Sequence, residues 1–326
     1  MRTPVCDLLG IEHPIVQAPF GLWTSAELVS EVSNAGGLGS LGASQRTVDD
    51  LQRELERVRE LTDRPFAVNH IARSHDEEAV AATLAASPKV VSYATGEPGD
   101  LVDRAHAAGS LFMQQVGSVR EATQAAERGV DVIIAQGSES GGYGGFVSTL
   151  ALVPQVVDAV APIPVIAAGG VADGRGLAAV LMLGAQGVNV GTRFVASNEA
   201  RVDDEWKQAI VAAASEDAVK LEFWNSLMPL EPGMYETLPR ALRTPFVDEW
   251  NARGVDAEGE AESLLAQVRS AVQERRSHEV VPFTGQTAGL VKEVLPAADI
   301  VARFVAEAEE ALERAEALRA SSASVR

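Results

Sequence analysis

Short apolar runs alternate with amphipathic segments along the first two thirds of the chain. Eight runs rich in Val, Ile, Leu and Ala have the length of buried strands. They cover residues 14–18, 38–42, 66–70, 89–94, 111–116, 131–136, 164–168 and 187–191. Between them apolar residues recur at helical spacing, as at Leu51, Leu55 and Val58. This alternation predicts a parallel sheet with helices packed on its outside.

The ends of the helical segments repeat the same signals. An acidic residue follows a hydroxyl residue by three positions at four starts, which are Thr24, Thr47, Ser74 and Ser118. Glycine stands at the expected left-handed cap of four helix ends, at Gly36, Gly109, Gly129 and Gly184. Eight such units predict an α/β fold, a (βα)8 TIM barrel. A doubly wound open sheet is the alternative, weakened because no G-x-G-x-x-G follows the first strand.

A different organisation begins after residue 199. Residues 200–280 show no clear strand, contain helical stretches at 203–214 and 261–276, and carry Trp206, Trp224 and Trp250. We expect a helical cap inserted after strand eight, over the mouth of a barrel formed by residues 1–199. Residues 281–326 are then a return segment and a C-terminal helix, predicted at 297–319 and packing on the barrel, with a fraying end at 320–326.

Charge and cysteine content narrow the classes of protein. The 326 residues include 27 basic and 46 acidic ones, a net charge of −19. This balance argues against nucleic acid and anionic membranes as partners, because both attract clustered Lys and Arg. Cys6 is the single cysteine, which excludes an intrachain disulfide and a multi-cysteine metal site. The chain shows no signal peptide and no apolar membrane span, so a cytoplasmic protein is expected.

In a (βα)8 barrel the active site is built from the loops that follow the strands. Loops after strands seven and eight commonly hold a phosphate through backbone N–H groups. Glycine pairs there favour a phosphate site over simple tight turns. The residues expected in one crevice are Ala18, Pro19, Phe20, Gly21, Asn69, His70, Gln114, Gln115, residues 136–143, Gly169, Gly170, Gly191 and Thr192.

Several polar residues have ordinary structural explanations. Asp173 immediately precedes a predicted helix, which favours an N-cap over a catalytic carboxylate. Asn69 can hydrogen-bond a planar heterocycle or close a strand-end turn, and strand alternation turns His70 to the opposite face. The other histidines, His278 among them, have no partner at a useful spacing, and no metal-ligand pattern appears. The absence of a G-x-S-x-G after a strand argues against a serine hydrolase.

Six short motifs follow one another in the chain. They are PIVQAP at 14–19, NAGGLG at 34–39, RPFAVN at 64–69, QGSESGG at 136–142, AAGG at 167–170 and GTRF at 191–194. In this order they resemble the nitronate monooxygenase family, formerly the 2-nitropropane dioxygenases, which also includes flavin-dependent enoyl reductases and NADH:quinone reductases. The resemblance is strong over residues 1–200 and weak at 283–286 and 296–298.

The resemblance implies an FMN cofactor and assigns residues to it. Ala18, Pro19 and Phe20 would lie along the isoalloxazine ring, and Asn69 would bond its edge. The ring would pass over Gly141 and Gly142, which would explain the glycine-rich stretch QGSESGGYGG at 136–145. Gln115 and Gln136 would be polar neighbours of the ring, and the phosphate would be held by Gly169, Gly170, Gly191 and Thr192.

One position departs from the family pattern. Many relatives have histidine directly after the glycine pair, as catalytic base or substrate-orienting group, whereas this chain has Tyr143. Free tyrosine has a pKa of about 10, against roughly 6.5 for histidine, so it is a poor base near neutrality. It can still donate a hydrogen bond to substrate. The alternative is that Tyr143 only packs at the mouth beside Phe146.

Three functions follow from these residues. The first is an FMN-dependent monooxygenase that oxidises alkyl nitronates with O2 and handles neutral nitroalkanes poorly, since a nitronate has already lost its α-proton. The second is an NAD(P)H-dependent flavin reductase of enones, enoyl thioesters or quinones, with Tyr143 as proton donor. The third is a barrel that binds a phosphate-bearing ligand without redox turnover.

Overall fold

Eight parallel strands form a closed barrel in the computed structural model, which describes residues 1–255 and 259–323. A parallel bridge between Val16 and Leu38 joins the first strand to the second and completes the ring. The predicted barrel is therefore confirmed, and the doubly wound sheet, which keeps open edges, is wrong. The strands are β1 Ile15–Gln17, β2 Gly39–Gly42, β3 Phe66–Ile71, β4 Val90–Ala94, β5 Leu111–Val116, β6 Val132–Gln136, β7 Gly142–Gly144, β8 Val165–Ala168, β9 Gly187–Val190, β10 Ala218–Lys220 and β11 Leu238–Leu242.

The barrel consists of β1–β6, β8 and β9, and each of these strands begins and ends within one residue of its predicted position. Helices surround it, as the amphipathic segments predicted. They are α1 Pro4–Leu9, α2 Ala26–Asn34, α3 Val48–Leu61, α4 Glu77–Ala86, α5 Leu101–Ala107, α6 Val119–Glu127, α7 Thr149–Val160, α8 Gly174–Met182, α9 Thr192–Val195, α10 Asp204–Ala212, α11 Trp224–Leu227, α12 Pro245–Arg253, α13 Ala261–Gln273 and α14 Ala297–Ala323.

The inside of the barrel is filled and closed at one end. Inward-facing strand residues such as Val16, Met113 and Ile166 form one buried cluster with α1. Cys6 and Leu9 of α1 are fully buried in that cluster, at the N-terminal end of the strands. Because this end is plugged, a ligand has access to the barrel interior only from the C-terminal ends of the strands.

Helix starts follow the predicted caps at three places and shift at two. Thr47, Ser118 and Asp173 accept from the backbone N–H three residues on. Ser25, not Thr24, caps α2, because the Thr24 hydroxyl accepts from Phe20 N at 3.0 Å instead. Asp76, not Ser74, caps α4, because residues 72–74 form a separate 3-10 turn. The four predicted glycine caps at residues 36, 109, 129 and 184 all have positive φ, between 81° and 92°.

The cap contains a small sheet that the sequence did not predict. The strands β10, β11 and β7 pair antiparallel, with Tyr143 of β7 opposite Pro239 of β11. The expectation that residues 200–280 contain no strand is therefore wrong, because β10 has only three residues and is too short to show a periodic pattern. Around this sheet, Leu221, Phe223 and Trp224 form a separate cap core with α12 and α13.

The C-terminal helix packs closely on the barrel. A Cβ at Gly174 would lie 2.2 Å from Ala308 N, so only glycine lets α8 and α14 approach this closely. The predicted frayed end differs, since α14 continues to Ala323, and residues 324–326 lie outside the described part of the chain. Domain limits at 199 and 280 stay a prediction. Among the described residues, helices lack the combination of length and apolar character that crossing a bilayer requires.

Candidate active site

A cavity opens at the C-terminal ends of the barrel strands. Its empty space measures about 1280 Å3 with the open mouth included. All thirteen residues singled out for the site line it, although their roles stay predictions. They are Ala18, Pro19, Phe20, Asn69, Gln115, Gln136, Gly141, Gly142, Tyr143, Gly169, Gly170, Gly191 and Thr192.

Five residues expected in the crevice do not line it: residues 137–139, His70 and Gln114. Gln114 is fully buried and donates to Gly96 O and to the Tyr235 hydroxyl. His70 turns away from the cavity, as strand alternation predicts, and its Nε2 lies 2.9 Å from the Thr83 hydroxyl. Burial lowers the pKa of His70 to about 4, so it is neutral near pH 7. Neither Gln114 nor His70 takes part in chemistry inside the cavity.

Glycines after β8 and β9 leave backbone open to a ligand. A Cβ at Gly191 would meet only Ala18 Cβ, at 3.8 Å, and one at Gly170 would have no neighbour closer than 3.6 Å. Packing therefore does not require glycine at these positions, although the φ of +74° at Gly170 does favour it. Their missing side chains leave a hollow beside Thr192, whose hydroxyl accepts from Gly285 N at 2.9 Å. The hollow fits a phosphate bound by backbone groups.

The rest of the cavity offers polar groups to a planar ligand. Asn69 donates to the Ser92 hydroxyl at 3.0 Å, which holds its amide in place. Ser140 Oγ and Asn189 Oδ1 are buried without a hydrogen-bond partner among the described residues. Both residues line the cavity, so a ligand or a water molecule bound there can pair with these atoms. Asn189 was not among the residues predicted from the sequence.

The two neighbouring glycines in residues 136–145, Gly141 and Gly142, have different structural roles. A Cβ at Gly141 would lie 2.6 Å from Gly285 N and 2.7 Å from the Thr284 carbonyl carbon, so this glycine is needed for backbone packing. At Gly142 φ is +61°, and a Cβ would meet nothing within 4 Å. Open space for a flat ligand therefore lies at Gly142, while Gly141 joins the β6–β7 loop to the return segment.

We expect Gly141→Ala to lower the free energy of unfolding by about 3 kcal/mol, because backbone on the facing segment leaves no room for a methyl group. Urea denaturation followed by far-UV circular dichroism measures the change. In FMN-free protein, Gly191→Ala is the matched control, with an expected change under about 0.5 kcal/mol, since its Cβ points into open space. Equal stability of the two variants would contradict the packing explanation.

Tyr143 is held by the cap. Its hydroxyl accepts from Trp224 Nε1 at 3.2 Å and lies 3.9 Å from Met228 Sδ. The Arg73 guanidinium carbon lies 4.8 Å from the centre of its ring, and Phe283 packs against the ring at 6.2 Å. The ring therefore packs on Phe283 rather than beside Phe146, which is 58% exposed.

The cavity wall carries no base that works near neutrality. Of the described residues that line it, none is His, Cys, Asp, Glu, Lys or Arg, and the only titratable ones are Tyr93 and Tyr143. Burial raises the pKa of both phenols, and for Tyr143 the Trp224 hydrogen bond and the Arg73 charge only partly oppose this. Both tyrosines are therefore neutral hydrogen-bond donors over the usual pH range.

Aromatic side chains from distant segments complete the wall. Trp23 from the β1–α2 loop contacts Trp206 of the cap edge-to-face, with ring centres 5.4 Å apart. Trp206 donates to the Thr284 hydroxyl at 2.9 Å, which ties the cap to the return segment. The sequence did not predict Trp23 and Trp206 as site residues, although the tryptophan-rich cap and the weak motif at 283–286 indicated this region.

One expectation about histidine is wrong. His278 does have a partner, because its Nδ1 lies 2.7 Å from Asp203 Oδ1 once the cap folds back. With Glu205 these two residues bring three candidate ligand atoms within 4.8 Å of one another. Asp203 is already engaged as the N-cap of α10, so its carboxylate has a structural task.

Comparisons with known proteins agree on one family. The model of the nitronate monooxygenase family matches residues 2–86 and 70–307. The chain is 38% identical over 283 residues to a protein of Mycobacterium tuberculosis, covering 86% of this chain and 76% of that one. That relative is named (3aS,4S,5R,7aS)-5-hydroxy-7a-methyl-1-oxo-octahydro-1H-indene-4-carboxyl-CoA dehydrogenase.

Two solved structures share nearly the whole fold. FabK from Thermotoga maritima superposes with a TM-score of 0.89 at 36% identity, covering 98% of this chain and 99% of that one. Nitroalkane oxidase from Streptomyces ansochromogenes superposes with a TM-score of 0.83 at 27% identity, covering 95% of this chain and 99% of that one. The family model, the relative and the shared barrel lead to one conclusion: the chain belongs to the nitronate monooxygenase family.

Proposed function

We propose that the protein is an FMN-dependent oxidoreductase that oxidises alkyl nitronates with O2. The observation that carries the proposal is a cavity whose described wall offers no base. An alkyl nitronate has already lost its α-proton, so its oxidation requires no proton abstraction by the protein. The similarity to a nitroalkane oxidase supports the same class of nitro substrates.

The described residues fit FMN. Gly170, Gly191 and Thr192 would hold the phosphate, since the hollow beside them is bounded by bare backbone. Asn69 and the unpaired Asn189 and Ser140 would bond the ring system. When bound, the flavin supplies the electron-accepting ring that no amino-acid side chain provides.

Tyr143 would orient the substrate. Its oxygen accepts from Trp224 Nε1, and its own proton is directed at Met228 Sδ, a weak acceptor at 3.9 Å that a nitronate oxygen would replace. Burial raises the pKa of the Tyr143 phenol above its usual value of about 10, so the donor is present near neutral pH. The aromatic rings of Phe283 and Trp206 exclude water from the same space.

A comparison of turnover of an alkyl nitronate with turnover of its neutral parent nitroalkane tests whether the cavity lacks a catalytic base. We expect kcat/KM for a nitronate to exceed that for the neutral nitroalkane by at least about 100-fold, the rate factor that a positioned base contributes. With nitronate, kcat/KM should change less than about threefold between pH 7 and 9, because neither cavity tyrosine ionises there. Similar turnover of both forms would contradict the proposal.

A second function is reduction of an enone, enoyl thioester or quinone by NAD(P)H. It is favoured by the protonated Tyr143, which can deliver a proton to reduced substrate, and by the carboxyl-CoA name of the Mycobacterium relative. A barrel without redox turnover is not favoured, because the family consists of oxidoreductases.

Anaerobic mixing separates the two functions. Propionate 3-nitronate, NADH and NADPH are each added to purified holoprotein while the visible flavin absorbance is recorded. Bleaching by nitronate alone supports nitronate oxidation. Bleaching by a nicotinamide alone contradicts it and selects the reductase.

A further inference from the structure

A second cavity adjoins the first. It measures about 630 Å3 with its open mouth and lies between the start of α6, the β7–α7 loop and cap residues 235–237. Thr95, Gln115 and Gln136 line both cavities. These three residues therefore form the boundary between the catalytic space and the side cavity.

Thr95 has two unusual features at this boundary. Its φ is +67°, in the left-handed region that β-branched residues rarely adopt. Its side-chain oxygen is buried, yet it has no hydrogen-bond partner in the described part of the chain. Strained backbone concentrates at functional sites, and a buried polar group without a partner needs an explanation; Thr95 combines both features.

The cap holds Thr95 in this conformation. Tyr235 N donates to Thr95 O at 2.9 Å, and Glu97 N donates to Gly233 O at 2.9 Å. Gly96 pairs with Met234 in an antiparallel bridge. Three consecutive residues after β4 are thus fixed by one cap segment, which places the Thr95 side chain between the cavities.

The wall of the side cavity suits an uncharged substrate chain. Glu121 is its buried charged residue, and its carboxylate accepts from Gly117 N at 2.7 Å. Arg120 and Glu236 lie exposed at the mouth and offset each other. The remaining wall mixes apolar Val116 and Val147 with threonine and glutamine side chains. An anionic tail would lie near the Glu121 carboxylate, which disfavours it.

We propose that Thr95 is a specificity-determining residue and that the side cavity binds the uncharged, unreactive chain of the substrate. The Thr95 hydroxyl hydrogen-bonds a carbonyl group of the substrate at the point where the substrate passes from the catalytic cavity into the side cavity. This inference rests on the proposed function only for the identity of the group that reacts with the flavin. Substrates that fit both cavities have an amide, ester or thioester carbonyl followed by a long uncharged chain.

Unreactive amides test the proposal independently of turnover. Titration calorimetry with FMN-loaded protein should show N-hexylpropanamide binding at least about tenfold more tightly than propanamide, because its chain enters the side cavity. A carboxylate at the end of the chain should weaken binding. Equal affinity of the two amides, or tighter binding of the carboxylate, would overturn the proposal whether or not nitronates are oxidised.

Thr95 variants separate a functional role from a structural one. Thr95→Val removes the unpaired hydroxyl and should weaken N-hexylpropanamide binding about tenfold without lowering the melting temperature. Thr95→Ser keeps the hydroxyl and should bind like the wild type. A lower melting temperature with unchanged amide affinity in Thr95→Val would assign Thr95 a structural role and overturn its part of the proposal.

A bulky side chain introduced into the side cavity tests whether the substrate chain binds there. Val147→Trp adds bulk to a residue that lines only the side cavity, and it should reduce the affinity for N-hexylpropanamide to that for propanamide. Leu150→Trp is the matched control on α7, 71% exposed and away from both cavities, and it should preserve the difference. An unchanged preference for the long amide in Val147→Trp would show that the chain lies elsewhere.

Discussion

Gly191→Glu is expected to give a folded protein that no longer retains FMN. The new side chain enters the hollow that we assign to the phosphate, where Ala18 Cβ is its nearest neighbour at 3.8 Å. The φ of −100° at Gly191 is negative, so the position lies outside the left-handed region that favours glycine. A carboxylate beside a phosphate costs several kcal/mol, which predicts at least about 100-fold weaker FMN binding.

Titration of the apoprotein with FMN and with riboflavin measures this effect by flavin fluorescence. Riboflavin lacks the phosphate, so the preference of the wild type for FMN over riboflavin should disappear in Gly191→Glu. Gly191→Gln has the same size without the charge and should lose less affinity for FMN than Gly191→Glu. If Gly191→Glu still prefers FMN, the phosphate lies away from β9.

The barrel could be predicted because its signals are local. Each strand is a short apolar run, and four helices end at a glycine whose φ is positive, such as Gly36 and Gly184. Such signals depend on neighbours within a few residues, and they fixed each barrel strand to within one residue. The position of the site followed from the fold, since loops after parallel strands meet at one end of a barrel.

The cap depends on contacts that no local pattern contains. Tyr143 of β7 pairs with Pro239 of β11, and Trp206 donates a hydrogen bond to the Thr284 hydroxyl of the return segment. The strand β7 arises from a glycine-rich loop with no strand propensity, and it forms only because β11 offers an edge. His278 likewise gains Asp203 as partner only through the fold.

Three residues at the site show that residue type alone does not predict a structural role. Gly141 and Gly142 stand side by side, yet one is needed for backbone packing and the other leaves space open. Thr95 carried no motif, because neither its positive φ nor its unpaired hydroxyl is visible in a sequence. Such features appear only when the cap is folded onto the β4–α5 loop.

Tyr143→His is expected to create turnover of neutral nitroalkanes that the wild type handles poorly. The substitution restores an imidazole at the position after the glycine pair, in a cavity whose described wall has no other base. A positioned general base contributes roughly 100- to 10,000-fold, so kcat/KM for the neutral nitroalkane should rise by at least about 100-fold. Nitronate turnover should change far less, because no proton is removed from it.

The pH dependence identifies the new base. Only neutral imidazole accepts a proton, so nitroalkane turnover by Tyr143→His should rise with pH through the histidine pKa and level off above it. The Arg73 charge, now 4.8 Å from the Tyr143 ring centre, disfavours a second cation and should hold that pKa below its usual value of about 6.5. Tyr143→Phe is the control that removes the hydroxyl without adding a base, and it should gain no nitroalkane turnover. A gain in Tyr143→Phe, or none in Tyr143→His, would show that the reacting carbon does not lie beside residue 143.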